Sequence, residues 1–244
     1  MLTKNKIKFI NSLSQKKNRV ENNCFLVEGD KIVLELIDSD FKIRTLYTTK
    51  KWLEENYENL YNLEIITLSN LELKKISQLS SPNNVLAIVE KKDIIFKSSN
   101  LSGITLVLDQ ISDPGNLGTI IRLCDWFGIK NIICSENSVD YLNTKVIQST
   151  MGSIFRVNIF YKNLVSFFKQ TKFPVYGACL DGVNIKSHKI ESDCFILMGN
   201  ESNGIAKELE YFINTRIKIP NNRRGAESLN VACATSIFLY QYSI

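Results

Sequence analysis

At 244 residues, with 44% apolar and 23% charged side chains, the chain has the composition of a globular protein of one or two domains. Four prolines and eleven glycines without a period exclude a collagen-like or low-complexity chain. No apolar run approaches the roughly 18 to 20 residues of a membrane span, and the leading MLTKNKIKFINSLSQKKNRV is too polar for a signal peptide, so a cytoplasmic protein without a membrane partner is expected. The net charge is +5, yet residues 1–20 alone hold Lys4, Lys6, Lys8, Lys16, Lys17 and Arg19 with no acid. Such a segment is either a solvated tail or a contact for a polyanion such as nucleic acid.

Residues 23–90 alternate strand-like and helix-like blocks: CFLVEG, DKIVLELIDSD, IRTLYTT, KWLEENYENL, LEIITL, LELKKISQLS and NNVLAIVE. They read as a small α/β unit spanning 1–92. Periodicity lapses through KKDIIFKSSNLSG, which places a linker over 93–102. From 103 to 244 the alternation restarts with strands ITLVLD, NIICS, RVNIF, PVYGACL, CFILMG and RIKIP. Helices are expected at 116–127, 143–150, 162–171, 206–213 and 228–241. Strands that are apolar throughout and separated by helices predict a mostly parallel sheet covered on both faces. Ligands of such sheets bind at the carboxyl ends of the strands, which directs attention to DQISDPGNLG, GNESNG and PNNRRGAESLN.

The six cysteines form no CxxC pair and lie mostly in apolar runs, so buried thiols are expected rather than disulfides or a metal cluster. A single histidine, His188 in the exposed-looking IKSHKIESD, leaves no material for a Ser-His-Asp triad or a His-based zinc site. GxGxxG and GxxxxGK[ST] are both missing, which disfavours an ordinary dinucleotide site or a P-loop.

Within the three loops, Asn116 and Gly118 read either as a turn and cap or as ligand contacts. Arg122, between Ile121 and Leu123, calls for an anionic partner or a ligand. Small residues in Gly199-Asn200-Glu201-Ser202-Asn203-Gly204 would let a ligand approach the backbone, with Glu201 accepting from an arginine or a sugar hydroxyl. Ser228 looks like the cap of the last helix, and Asn230 inside its first turn needs a partner. A nucleophilic role for Ser228 or Cys233 in a small-molecule enzyme lacks a basic partner in sequence.

In this order, NLGTIIR (116–122), GNESNG (199–204) and IPNNRRGAESLNVACA (219–234) resemble the three motifs of the SpoU, or TrmH-type, branch of the SPOUT RNA methyltransferases. FLVEGDKIVLELI and SSPNNVLAIVE resemble the ribosomal-protein-like RNA-binding domain that often precedes them. The resemblance implies an N-terminal α/β/α RNA-binding domain and a C-terminal parallel-sheet α/β domain with a trefoil knot, an exception to the rarity of knotted chains. It implies S-adenosylmethionine as donor without a metal, a ribose 2′-hydroxyl of structured RNA as acceptor, ribosomal RNA favoured over transfer RNA, and a homodimer. Asn116, Arg122, Glu201, Ser228 and Asn230 take the family's active-site positions. Met198, Gly199, Asn200, Gly204, Ile219, Ser228 and Leu229 take the cofactor-binding ones. Asn221-Asn222-Arg223-Arg224 replaces the family's usual methionine and glycine-rich turn; Arg223 and Arg224, with Lys16, Lys17 and Arg19, are the candidate RNA contacts. A transfer RNA enzyme and a noncatalytic RNA-binding paralogue are the alternatives.

With no imidazole at hand, methyl transfer would rest on placing an activated sulfonium in line with the ribose oxygen. Arginine is too strong a cation to be a free base, so Arg122 would stabilise the developing alkoxide, with Glu201 orienting it and Ser228 and Asn230 holding the ribose or a phosphate.

Overall fold

The computed structural model describes residues 2–60, 62–221, 225 and 227–242. In chain order its elements are α1 (Lys4–Ser12), α2 (Lys16–Asn22), β1 (Cys24–Glu28), α3 (Asp30–Ile37), β2 (Ile43–Thr48), α4 (Lys50–Asn56), β3 (Ile65–Thr67), α5 (Asn70–Ile76) and β4 (Val85–Glu90). There follow β5 (Ile104–Leu108), α6 (Pro114–Trp126), β6 (Asn131–Ser135), α7 (Thr144–Thr150), β7 (Asn158–Lys162), α8 (Leu164–Phe168), β8 (Val175–Asn184), β9 (Cys194–Met198), α9 (Lys207–Glu210), β10 (Thr215–Lys218) and α10 (Val231–Tyr242). Two compact units result: Met1–Asp93 with Asp140–Phe155, and Ile94–Val139 with Arg156–Ile244. No helix among the described residues is long and apolar enough to cross a membrane.

The first unit is built on a four-stranded sheet of order β1-β4-β2-β3, antiparallel except for the β2/β3 pair. One face packs Leu26, Tyr47, Leu86 and Ile88 against Ile10 and Leu13 of the α1 region and Leu73 and Ile76 of α5. The basic leading segment is therefore not a tail. Thr3 caps α1 by accepting from the Lys6 N–H, and Ile10 and Leu13 are wholly buried. Asp140–Phe155 joins this unit although it lies in the chain between two strands of the other. Phe155 stacks edge-on against Phe41 at 5.3 Å, itself edge-on to Phe25 of β1, and Gln148 Nε2 donates to the Glu28 carbonyl at 2.7 Å.

The second unit carries a six-stranded sheet of order β10-β8-β9-β5-β6-β7, with every pairing parallel. Its central strands β9, β5 and β6 are buried almost throughout, because helices occupy both faces. Side chains alternate along a strand. Val107, Ile133, Phe195 and Leu197 meet Leu164, Phe167 and Phe168 of α8 and Leu209 of α9 on one face. On the other, Cys134 lies close to Cys124 of α6, and burial pushes both thiols well above their ordinary range, Cys134 to about 12. Four cysteines are buried as expected, Cys179 is half-buried, and Cys233 is exposed. His188 is half-buried beside the Tyr176 ring, 5.8 Å away between centroids.

Candidate active site

The second unit's sheet brings the three loops to its carboxyl edge. At the end of β5 the Asp109 N–H still pairs with the Met198 carbonyl at 2.9 Å, and the buried carboxylate accepts the Ala206 N–H at 2.9 Å. Desolvation raises the Asp109 carboxyl above its ordinary value, and the Glu208 charge adds to the rise against the opposing Ala206 hydrogen bond. Gln110 follows in the left-handed region at φ +54°, a conformation few non-glycine residues adopt. It is held there from two sides. Its N–H donates to Ser135 Oγ at 2.8 Å, and its carbonyl accepts Asn200 Nδ2 at 2.8 Å. Ser138 Oγ accepts the next N–H, of Ile111, at 3.2 Å.

The chain then enters α6 through Asp113-Pro114. Asp113 caps the helix by accepting the Asn116 N–H at 2.7 Å, and Pro114 occupies the first helical position, where its missing N–H costs nothing. This cap sets Asn116 on the first turn. The Asp-Pro pair is a helix-start signal that sequence reading passed over in favour of Asn116 and Gly118.

At the far end of the unit, α10 begins at Val231, and its cap is Asn230 rather than Ser228. Asn230 Oδ1 accepts the Ala232 N–H at 2.9 Å and the Cys233 N–H at 3.3 Å. The capping bonds decide the orientation of its carboxamide: the oxygen faces the helix, so the nitrogen faces outward. That nitrogen donates to Asn116 Oδ1 at 2.9 Å, which turns the Asn116 nitrogen towards Glu201, whose Oε1 it reaches in a short hydrogen bond. One residue from each loop is thus joined in a directional series, Asn230 to Asn116 to Glu201. The polar amide that looked costly in a helical first turn is satisfied on both atoms.

The loop holding Glu201 is a tight bridge in which Asn200 and Gly204 exchange two backbone hydrogen bonds of 2.9 Å. At Gly199 a Cβ would stand 2.3 Å from the Gly204 carbonyl carbon, so there the absence of a side chain makes room for the loop's own backbone and not for a ligand. Gly204, at φ +68°, has open space around it. The Asn200 side chain is used internally: besides its bond to Gln110 it accepts the Ser202 and Asn203 N–H groups at 2.9 and 3.2 Å. Met198 is buried, Ile219 is half-buried, and Ser228 and Leu229 are exposed, with no hydrogen bond to another described residue.

Arg122 lies two turns along α6 from Asn116 and is exposed. The anionic partner expected for it is not supplied: no ion pair or hydrogen bond among the described residues engages its guanidinium, and Glu201 is taken by Asn116 instead. It lines an open groove of about 610 Å³ between α6 and α10 with Leu123, Trp126, Phe127, Ile237 and Tyr240. Trp126 and Tyr240 are 83% and 66% exposed there.

Among the candidate RNA contacts, Lys16 and Lys17 of the first unit are exposed, Lys17 lying 3.8 Å from Glu21. Arg19 is not available to RNA. It is 3% exposed and donates to the Leu13 and Ser14 carbonyls at 2.9 and 2.8 Å and to Asp140 at 2.5 Å. The linear charge run concealed that one of its cations turns inward. Arg223 and Arg224 lie outside the described residues.

Comparison with known proteins agrees with the geometry. Residues 103–240 match the model of the SpoU rRNA Methylase family, and residues 4–87 match that of an MRM3-like substrate binding domain. The chain is 27% identical over 240 residues to the 23S rRNA (guanosine(2553)-2′-O)-methyltransferase RlmP of Bacillus subtilis, covering 96% of this chain and 94% of that one. A solved structure from Porphyromonas gingivalis, assigned to the TrmH family of RNA methyltransferases, superposes with a TM-score of 0.89 at 33% identity, covering 99% of this chain and 98% of that one. An AdoMet-bound rRNA methyltransferase from Sinorhizobium meliloti gives a TM-score of 0.87 at 29% identity, with coverage of 99% and 95%. With its three motif loops joined through Asn116, Glu201 and Asn230, and more than half its length matched by the family model, the chain belongs to the SpoU rRNA Methylase family.

Proposed function

We propose that the protein transfers the methyl group of S-adenosylmethionine to a ribose 2′-hydroxyl of ribosomal RNA. The observation that carries this reading is the series Asn230–Asn116–Glu201, which ties the three loops together at the carboxyl edge of a parallel sheet, where such folds bind ligands. The names of the Bacillus subtilis and Sinorhizobium meliloti relatives support the acceptor and the donor.

The residues present suit the donor. Exposed Ser228 and Leu229 offer a hydroxyl, backbone groups and an apolar side chain, and Gly204 has open space around it, which matches a ligand with polar and apolar ends. Backbone groups around Met198, Gly199, Ile219 and Leu229 would hold it, with Asn200 fixing the loop from behind. When bound, the sulfonium supplies an activated methyl group. The chain must then orient the ribose oxygen, stabilise charge as its proton leaves, and exclude competing nucleophiles. Arg122 fits the second task, because its guanidinium is unpaired among the described residues and an arginine stays charged at any physiological pH. Asn116 and Glu201, held by capping geometry, present fixed polar groups at the loop junction, and Ser228 adds an exposed hydroxyl.

The reading includes a homodimer in the cytoplasm. Trp126, Ile237 and Tyr240 form an exposed apolar face on α6 and α10 beside Arg122, and a second copy would cover it. A map of ribose methylation across total RNA, from cells with and without the gene, tests the function. Loss of one ribosomal RNA site is the expected result. Loss of a transfer RNA site would change the substrate class, and no loss anywhere would favour a noncatalytic binder.

A further inference from the structure

We propose that RNA phosphates are held on a ridge of the first unit formed by Lys4 and Lys8 of α1, which belong to the basic leading segment, and Lys74 and Lys75 of α5, a set that includes none of Lys16, Lys17, Arg19, Arg223 and Arg224. The inference rests on the ribosomal RNA reading above.

Three observations carry it. Lys4, Lys8 and Asn11 stand at i, i+4 and i+7 and therefore share one stripe of α1. Asn11 at the end of that stripe donates through Nδ2 to the Lys75 carbonyl at 2.9 Å and accepts Gln78 Nε2 at 3.1 Å. The last turn of α5, which bears Lys74 and Lys75, is thereby fixed where the lysine stripe of α1 ends. Second, the four lysines are exposed, and none makes an ion pair with another described residue. Some exposed lysines of the unit are matched, Lys50 with Glu54, Lys51 with Glu55 and Lys42 with Glu90, while Lys6, Lys16, Lys31 and Lys145 have no ion pair among the described residues. What sets the four apart is the shared stripe fixed through Asn11. The acid of α5, Glu72, accepts chiefly from Ser69 at the start of that helix, at 2.8 and 3.0 Å, and feels the Lys75 charge only as a lesser influence, without an ion pair. Third, α1 begins with Lys4 and has no acid in its first turn, the end of a helix where its dipole disfavours cations. Local stability does not account for that placement, whereas a bound polyanion does.

The test compares Lys4→Gln/Lys8→Gln/Lys74→Gln/Lys75→Gln with Lys50→Gln/Lys51→Gln, since glutamine keeps helix propensity while removing charge. Each full-length protein is titrated with in vitro transcribed, unmodified 23S ribosomal RNA over a salt series, and with S-adenosylmethionine alone. The ridge variant is expected to bind RNA more weakly and to lower the slope of log affinity against log salt by about 3 to 4, at about 0.9 for each duplex phosphate that is no longer neutralised. The Lys50/Lys51 variant should keep the wild-type slope, and cofactor affinity should be unchanged in both. A ridge variant with wild-type affinity and slope overturns the proposal, as does an equal weakening in the Lys50/Lys51 variant or a parallel fall in cofactor affinity. A wild-type protein that binds no RNA at low salt removes the RNA reading itself, and the ridge with it.

Discussion

Arg19 and Arg122 stand in two regions that sequence reading assigns to RNA, and they differ in every physical respect. Arg19, on α2, is buried with two carbonyls and a carboxylate around its guanidinium. On the groove between α6 and α10, Arg122 is exposed and unpaired among the described residues. A guanidinium whose terminal nitrogens are engaged inside the protein serves the fold. One left open two turns along the helix from an assembled polar junction can serve something that arrives from outside.

Arg19→Ala puts the sharpest strain on this contrast. Removing one partner of a buried pair leaves Asp140 and two carbonyls unmatched, and a loss of roughly 3 to 5 kcal/mol in chemical denaturation is expected. Arg122→Ala should leave the melting temperature unchanged while single-turnover methyl transfer falls by about 10² to 10³, the cost of one donor aimed at a developing oxyanion. If Arg122→Ala unfolded the protein, or Arg19→Ala left stability intact, the two arginines would have exchanged roles.

Asn230→Ala joins both sides of the contrast, because this residue caps α10 and orients Asn116. Removing the cap should cost about 1 kcal/mol, and methyl transfer should fall by more than that change in stability explains. Equal melting and activity changes would leave Asn230 a cap only.

The smallest effect concerns Glu28. Burial raises its carboxyl above the ordinary range despite hydrogen bonds from Ser77 and the Gln78 N–H, each 2.7 Å. The folded chain thus holds this proton more firmly than the unfolded one, so its contribution to stability is full below the unfolded value and is lost as pH rises through the folded value. Glu28→Gln, which can keep both contacts, should flatten the stability profile just above the ordinary glutamate range. An unchanged profile would assign that slope to another group, such as Asp109.

Much of this architecture was legible in the linear chain. The strands β1 to β10 follow apolar runs, and the parallel sheet follows from strands with no polar face. Helices α1 and α2 were less visible because their lysines drew attention to charge, although Ile7, Ile10 and Leu13 already stood at helical spacing. The three loops could be found at the strand ends. Their connection could not, since Asn116 and Asn230 are 114 positions apart and the direction of their hydrogen bond depends on a cap. Gly199 illustrates the converse limit: a missing side chain shows that something comes close, and only the fold tells backbone from ligand. Likewise Arg19 meets Asp140 across 121 positions, beyond the reach of any local pattern.

The insertion of Asp140–Phe155 into the first unit also bears on synthesis. A nascent chain released as far as residue 93 has all four strands of that sheet, but it lacks the carboxylate for Arg19, the ring for Phe41 and the amide for the Glu28 carbonyl. The substrate-binding unit therefore reaches its final form only after β5, α6 and β6 of its neighbour have left the ribosome. Domains emerging from the ribosome ordinarily fold in order, N-terminal first. Here the earlier one waits for the later one to be half made, and a gene cut at the apparent boundary would express a permanently unfinished protein.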